Sequence, residues 1–169
     1  MSVTLITGGC YCGAIRYEAT GLPNEVTHCH CVDCRRSSGA AMVTWASFPR
    51  DCIRFVHGQP QEFIRDGRRR GFCTLCGTSL TFLLHADADA RDVTVGSFDQ
   101  PEAVTPAAHT WVEDRLPWIR LADGLRTHAR GGSLSRTCGI VRSIRRWRPS
   151  TKWLARWTPK TAARSPGNC

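Results

Sequence analysis

The sequence predicts an all-β fold, and three observations support this prediction. Nine short runs rich in β-branched and aromatic residues recur between residues 3 and 112. Turn signals such as GLPN, HGQP and RDG separate them, and the only segment with helical character, VDCRRSSGA, is short. A chain of 169 residues with 41% hydrophobic content can bury one core of this kind. We therefore expect a single domain of antiparallel β-sheets with short helical turns.

The predicted strands follow one another as apolar or alternating segments of four to eight residues. A further segment, Arg68 to Arg70, is a run of charge that we expect in a solvated loop. We place the short helix near VDCRRSSGA, and we expect Trp111 and Trp118 in the core. In chain order the strands are VTLI (3–6), AIRYEA (14–19), EVTHCHC (25–31), AMVTWASF (41–48), CIRFV (52–56), QEFIR (61–65), SLTFLLH (79–85), DVTVGSF (92–98) and HTWV (109–112).

The distribution of charge divides the chain into two parts. Residues 1–128 carry 13 basic and 14 acidic side chains, whereas residues 129–169 carry 10 basic and none acidic. The net charge of +9 therefore belongs to the end of the chain. We predict a zinc-binding β domain over 1–128 and a basic, disordered extension over 129–169. Nucleic-acid binding is not expected apart from this tail, where Arg and Trp side chains could contact phosphates and bases.

The sequence carries no sign of a membrane or of export. No apolar run approaches the roughly 20 residues that span a bilayer, so we expect no membrane partner. The start, MSVTLITGGC, does not read as a signal peptide, and we expect a cytoplasmic protein.

The number of cysteines indicates metal rather than disulfides. The chain contains 10 cysteines. In a reducing compartment, closely spaced cysteines more often hold metal or perform redox chemistry than form disulfides.

Two glycine-flanked pairs of cysteines predict a closed zinc site. Cys10 and Cys12 lie in GGCYCG, and Cys73 and Cys76 lie in GFCTLCG. Two tight turns that each offer two thiolates can surround zinc as a tetrahedron. The competing interpretation is a thioredoxin-like redox pair at Cys73 and Cys76, but the expected βαβ surroundings are missing.

A second group of cysteines contributes three ligands at short spacing, namely Cys29, Cys31 and Cys34. If 25–31 is a strand, Cys29 and Cys31 point to one face while His28 and His30 point to the other. The site then has three protein ligands and an open position, which is typical of catalytic zinc. The alternative is a structural site closed by Cys52, Asp33 or a histidine.

Five segments in this order resemble the glutathione-dependent formaldehyde-activating enzyme family, also called the GFA or centromere-protein-V domain family. They are GGCYCGAIRY, CHCVDCRRSSGA, GFCTLCGTSLTF, VGSFDQPEAVTP and HTWVEDRLPWIRLADGL. The resemblance covers about residues 5–125. It implies a zinc-binding fold similar to the Mss-four-like group, with two zinc ions. The structural zinc would fall on Cys10, Cys12, Cys73 and Cys76, and the catalytic-type zinc on Cys29, Cys31 and Cys34.

The activity that the resemblance implies is that of a carbon–sulfur lyase. A thiol such as glutathione and a small aldehyde such as formaldehyde would be joined as an S-hydroxymethyl adduct, or the adduct would be split. Because glutathione carries two carboxylates, Arg35 and Arg36 are candidates for substrate binding, and so is Arg16. His30 and Asp33 are candidate proton shuttles, and His109 could line a pocket.

Two other functions remain open at this stage. One is a non-catalytic, zinc-stabilised β module that binds a partner, in which the second zinc would be structural. The other is a redox or metal-sensing protein. The identity of the fourth ligand of the second zinc separates the first of these from an enzyme. The sequence does not define the oligomeric state.

Overall fold

The computed structural model describes residues 4–131, and this part of the chain is mostly β, with one α-helix and four short 3₁₀ turns. The prediction of a mostly β fold is confirmed. The helix α1 spans Val32–Ser38. The strands are β1 (Leu5–Gly9), β2 (Arg16–Thr20), β3 (Glu25–Cys29), β4 (Val43–Pro49), β5 (Ile53–His57), β6 (Gln61–Arg65), β7 (Arg68–Phe72), β8 (Ser79–Leu83), β9 (Ala90–Thr94), β10 (Ala108–Thr110) and β11 (Arg126–Thr127).

The strands form two sheets. The smaller sheet has the antiparallel order β1-β2-β5, and the larger has the order β11-β10-β3-β4-β9-β8-β7-β6. The larger sheet is antiparallel from β3 to β6, whereas β10 runs parallel to both β3 and β11. This order places β7 in the same sheet as β3 and β4. Along the chain, β7 begins more than 30 residues after Cys34 of α1.

The core receives residues from both sheets. Tyr17 of β2, Phe48 of β4, Leu80 of β8 and Val93 of β9 are fully buried and belong to one hydrophobic cluster. Because side chains alternate along a strand, β4 also presents Val43 and Trp45 to its other face. These two residues pack with Cys29 and Cys34 in a second, smaller cluster. The larger sheet is therefore buried on both faces near α1.

All nine predicted strand segments overlap an observed strand, but the segment Arg68 to Arg70 was assigned wrongly. It belongs to strand β7 and pairs with β6, from Gln61 opposite Phe72 to Arg65 opposite Arg68. Asp66 and Gly67 form the two-residue turn between the strands, and both have positive φ, 49° and 77°. An Asp-Gly pair with this geometry is the favoured connection of a tight β-hairpin. The turn therefore continues the sheet where we expected a loop.

Trp118 and the end of the chain complete the comparison with the predictions. Trp118 is 68% exposed, so its assignment to the core was wrong. No helix among residues 4–131 is long and apolar enough to cross a membrane. The segment 128–130 accepts backbone hydrogen bonds from residues 111–113. Most of the predicted basic extension, from residue 132 onward, lies outside the described residues, and the domain boundary stays a prediction.

Candidate metal centres

The four-cysteine cluster is built by two tight turns. Cys10 directly follows β1, and the backbone N–H of Gly13, whose φ is 78°, donates to the carbonyl of Cys10 over 3.0 Å. Cys73 directly follows β7, and the N–H of Gly77, whose φ is 74°, donates to the carbonyl of Cys73 over 2.8 Å. In both turns a glycine adopts the left-handed conformation that most residues avoid. The turns thereby point two sulfurs each toward a common centre.

The distances between these sulfurs fit a tetrahedral metal site. The Sγ atoms of Cys10, Cys12, Cys73 and Cys76 all lie within 4.8 Å of one another. Cys10 and Cys12 are 3.5 Å apart, and Cys12 and Cys73 are 3.8 Å apart. Four thiolates about 2.3 Å from zinc would be about 3.8 Å from one another. All four cysteines are free, as metal ligation requires.

Hydrogen bonds to the sulfurs support thiolates at this cluster. The N–H of Ile15 donates to Cys10 Sγ over 3.2 Å, and Thr78 Oγ1 lies 3.1 Å from Cys76 Sγ. The Thr78 hydroxyl, together with its backbone N–H, lowers the pKa of the Cys76 thiol to about 5. Thr78 also accepts a hydrogen bond from the N–H of Tyr11 over 3.1 Å, which ties the two turns together.

The three-cysteine group forms where β3 leads into α1. Cys29 is the last residue of β3, Cys31 is the N-cap of α1, and Cys34 lies in the first turn of the helix. Cys31 Sγ accepts a hydrogen bond from the N–H of Cys34 over 3.3 Å, so the thiol acts as a helix cap. The three sulfurs lie within 4.8 Å of one another. The structure therefore brings together the three cysteines that the sequence analysis grouped.

Burial makes this group electrostatically demanding. Cys29 and Cys34 are 7% and 6% exposed, and Val43, Trp45, Phe82 and Trp111 pack around them. Hydrogen bonds from the other two thiols lower the pKa of Cys34 to about 2, while the same contacts raise the pKa of Cys29 far above its ordinary value. Ionisation of one of these crowded thiols therefore opposes ionisation of its neighbours. A bound divalent cation would allow all three to ionise together.

No fourth ligand joins this group among residues 4–131. Asp33 forms an ion pair with Arg68 over 3.4 Å. Cys52 lies outside both cysteine groups, before β5 in the smaller sheet. The alternatives in which Asp33 or Cys52 closes the second site are therefore not supported by the geometry.

The histidines form a separate row behind the cysteines. His30 Nε2 lies 2.9 Å from His109 Nδ1, and His109 Nε2 lies 2.8 Å from a carboxylate oxygen of Asp123. His28 stacks on His109 with ring centroids 4.9 Å apart and contacts Thr44 over 2.8 Å. Burial lowers the pKa of both His28 and His30, and the neighbouring His109 lowers it further. None of these histidines joins the three-cysteine group among residues 4–131. β3 ends at Cys29, however, so strand alternation separates only His28 from the cysteines, and His30 and Cys31 lie beyond the strand.

The predicted substrate arginines lie at two different places. Arg35 and Arg36 line an open groove of about 390 Å³ together with the exposed Trp118. Arg35 Nε also donates to the carbonyl of His30 over 3.3 Å. Arg16 forms a two-pronged ion pair with Asp99 in the smaller sheet, so its charge is already engaged. The groove remains the candidate place for an anionic substrate group.

Three residues near the cysteines were not predicted as site residues from the sequence, namely Trp45, Arg70 and Asp92. Arg70 reaches the sulfur of Cys34, and Trp45 packs against the same cysteine group. Asp92 of β9 lies opposite Ser47 of β4 and Phe82 of β8. Burial raises the pKa of Asp92 to about 6. The signal for Arg70 was the Asp-Gly turn, which makes RRRGF a strand with alternating faces.

Two cysteine clusters with the spacing of metal ligands, on a mostly β chain with two sheets, define a β protein with two candidate metal centres. The chain belongs to the glutathione-dependent formaldehyde-activating enzyme family, whose family model matches residues 5–114. The family name describes enzymes that use glutathione and activate formaldehyde.

The comparison with solved structures found a similar chain in a crystal structure of a Rhodobacter sphaeroides protein. It is 22% identical, the TM-score is 0.47, and the match covers 72% of this chain and 98% of that one. Among curated proteins, no match to this chain was found.

Proposed function

We propose that this protein is a zinc-dependent carbon–sulfur lyase that joins a glutathione-like thiol to a small, formaldehyde-like aldehyde, or splits the adduct. The observation that carries the proposal is the group of Cys29, Cys31 and Cys34, which is buried and lacks a fourth protein ligand among the described residues. A three-ligand thiolate site is typical of catalytic rather than structural zinc. Membership of the family supports the choice of substrates.

The donor sets support zinc at both clusters. Thiolates are soft ligands that favour zinc over magnesium or calcium. We assign the structural ion to Cys10, Cys12, Cys73 and Cys76, and the catalytic-type ion to the three-cysteine group. At the latter, zinc would supply a coordination position for a thiol sulfur and lower the pKa of that thiol.

The residues of the chain supply the surroundings for the reaction. In the addition, the thiol sulfur forms a bond to the carbonyl carbon, the C=O double bond becomes single, and the proton from sulfur ends on the new hydroxyl. Val43, Trp45 and Phe82 pack beside the cysteines and limit the access of water, which strengthens electrostatic interactions there. Arg35 and Arg36 line the groove and offer positive charge to the carboxylates of the thiol.

The proton carrier is assigned on a single observation. His30 Nδ1 is buried and has no hydrogen-bond partner among residues 4–131, whereas Asp33 is engaged by Arg68. Of the two candidates, we therefore assign the role to His30. The row of His30, His109 and Asp123 leads from this ring to the surface, since the Asp123 side chain is 45% exposed.

Three further assignments belong to the same proposal. We assign the fold to the Mss-four-like group of zinc-binding β domains. We place the catalytic domain at 1–128 and treat 129–169 as a separate basic extension. A cytoplasmic location is proposed because two clusters of free thiols require a reducing compartment.

The test compares two cysteine substitutions in the full chain. Zinc per chain and the rate of S-hydroxymethylglutathione formation above the uncatalysed rate are measured for Cys31→Ser and Cys52→Ser. We expect Cys31→Ser to lose one of two ions and all acceleration, and Cys52→Ser, which lies outside both clusters, to keep both. Full activity of Cys31→Ser after loss of the second ion would refute a zinc-centred mechanism. Two ions without acceleration in the unmodified protein would favour the non-catalytic binding module.

A further inference from the structure

A guanidinium group lies against the three-cysteine site. Arg70 Nη1 and Nη2 lie 3.9 Å and 3.8 Å from Cys34 Sγ, which are long N–H···S contacts. Nη1 also donates to Ser37 Oγ over 3.1 Å, and the guanidinium carbon lies 4.8 Å from the centre of the Phe82 ring. A helix hydroxyl and an aromatic face thus hold the group in one orientation. Cation–π contacts of this kind fix Arg more readily than Lys.

Strand alternation selects which arginines of β7 reach the site. Arg68 and Arg70 lie on the face that carries α1, since Arg68 pairs with Asp33 over 3.4 Å. Arg69 lies on the opposite face and pairs with Glu62 over 2.9 Å. Two neighbouring arginines of β7 therefore differ in their partners, because Arg70 contacts α1 whereas Arg69 pairs with Glu62.

Cys34 receives side-chain donors that differ from the contacts of its neighbour. Both terminal nitrogens of Arg70 lie against Cys34 Sγ, and Trp45 packs in the same cluster. Cys31 Sγ instead accepts from the backbone N–H of Cys34. Side-chain donors to metal-bound thiolates tune the ligand and are often worth 10- to 100-fold in metal affinity. Cys34 is thus the sulfur that the structure places against a cationic side chain.

In the proposed chemistry, the positive charge of Arg70 beside the three sulfurs has two effects. Three thiolates on a divalent cation carry a net charge of −1, and a bound substrate thiolate would bring it to −2. A fixed guanidinium beside the sulfurs offsets part of this charge. The aldehyde is an electrophile that any thiolate in the site could attack, and the nucleophilicity of a thiolate falls as its basicity falls. A donor on Cys34 therefore protects a ligand from reacting in place of the substrate.

We propose that Arg70 is a positioning residue of the three-cysteine site, which fixes Cys34 as a metal ligand and suppresses its reactivity toward electrophiles. The inference rests on the proposed function in so far as it needs a metal at this site. It adds a residue and a role that neither the cysteine pattern nor the groove arginines supply. Arg70 acts through Cys34, so that its effect appears in the ligand even when no substrate is present.

The experiment measures Cys34 directly in the zinc-loaded full chain. Iodoacetamide alkylation of Cys34 is followed by peptide mass spectrometry, and the transfer of each zinc to a chromogenic chelator is timed. We expect Arg70→Gln to raise the alkylation rate about fivefold, or about 1 kcal/mol, and to release one of the two ions about tenfold faster. The matched control, Arg69→Gln, is expected to match the unmodified protein in both measurements.

A spectroscopic measurement separates this role from general support of the fold. With Co²⁺ in place of zinc, Arg70→Gln is expected to shift the sulfur-to-cobalt charge-transfer band to lower energy, and Arg69→Gln to leave it unchanged. If Arg70→Gln fails to retain two ions, Arg70→Lys takes its place, and we expect about a twofold faster alkylation because the charge remains without the planar fork.

The outcomes of this experiment distinguish the two proposals. Unchanged alkylation, ion release and cobalt spectrum in the Arg70 variants would overturn the role of Arg70. Protected Cys34 and two ions in a protein that does not accelerate adduct formation would support Arg70 and refute the lyase. A single ion in the unmodified protein, bound by the four-cysteine cluster, would overturn both.

Discussion

Replacing Asp92 by Asn should stabilise the protein at neutral pH and change how its stability depends on pH. Asp92 lies on β9 between Ser47 and Phe82, and burial is the main cause that raises its pKa to about 6. The hydrogen bond with Ser47 acts in the opposite direction without cancelling burial. The folded state therefore favours the neutral carboxyl, and ionisation at neutral pH opposes folding.

The magnitude follows from linkage between protonation and folding. A carboxyl whose pKa rises from 3.8 unfolded to about 6 folded costs about 3 kcal/mol of folding free energy at pH 7. The cost is absent below the unfolded pKa and grows as pH rises through the range between the two values. About 1 kcal/mol of it develops between pH 5 and pH 7. Asp92 keeps some solvent exposure, so these values are upper bounds.

The assay is urea denaturation of the zinc-loaded protein at pH 5 and at pH 7. We expect the advantage of Asp92→Asn over the unmodified protein to be about 1 kcal/mol larger at pH 7 than at pH 5. Asp99→Asn is the matched control, because the ion pair with Arg16 lowers the pKa of Asp99. Its stabilising contribution is lost only as pH falls below its unfolded value, so its difference stays flat over this range. An advantage of Asp92→Asn that does not grow with pH would refute the assignment of a buried carboxyl with a raised pKa.

Three further predictions test other parts of the structure. Cys76→Ser should lose the ion of the four-cysteine cluster and lower the thermal midpoint by at least about 10 °C, whereas Cys52→Ser should keep two ions by metal analysis. His109→Leu should destabilise the fold by about 2–3 kcal/mol in urea denaturation, because it leaves His30 Nε2 unpaired inside the protein; a loss below 0.5 kcal/mol would contradict this. Gly8→Ala should cost about 1–3 kcal/mol in the same assay, since its Cβ would lie 2.3 Å from the Tyr17 hydroxyl.

Local patterns predicted which cysteines lie together in the structure. GGCYCG and GFCTLCG each contain two cysteines and the glycine that the turn requires, so that each ligand pair is complete within a few residues. Strand alternation separates His28 from Cys29 within β3, although the strand ends at Cys29 and Cys31 joins the group as the N-cap of α1. Such inferences succeed because they depend on residues that are close in sequence, where backbone geometry alone sets the direction of each side chain.

Predictions failed where the answer depended on a partner strand. The run of Arg68 to Arg70 shows no alternation of apolar and polar residues, so it did not read as a strand. Its side chains instead pair with acidic or aromatic groups on both faces of β7. Trp118 is exposed although it is large and apolar, since it lies on the groove rather than under a sheet. The chemical type of a residue indicates the surroundings in which it is usually found. It does not indicate which neighbours the fold provides at that position.

The sequence by itself determined the mostly β fold, the two groups of cysteines and the family, because all three are written in short, ordered motifs. Only the tertiary structure decided what surrounds the three-cysteine group. The sheet order β3-β4-β9-β8-β7 brings Asp92 and Arg70 toward a helix that precedes them by more than 30 residues. The physical reason is that burial and charge contacts arise between strands that are adjacent in space, and the register of those strands is fixed only when the whole sheet packs.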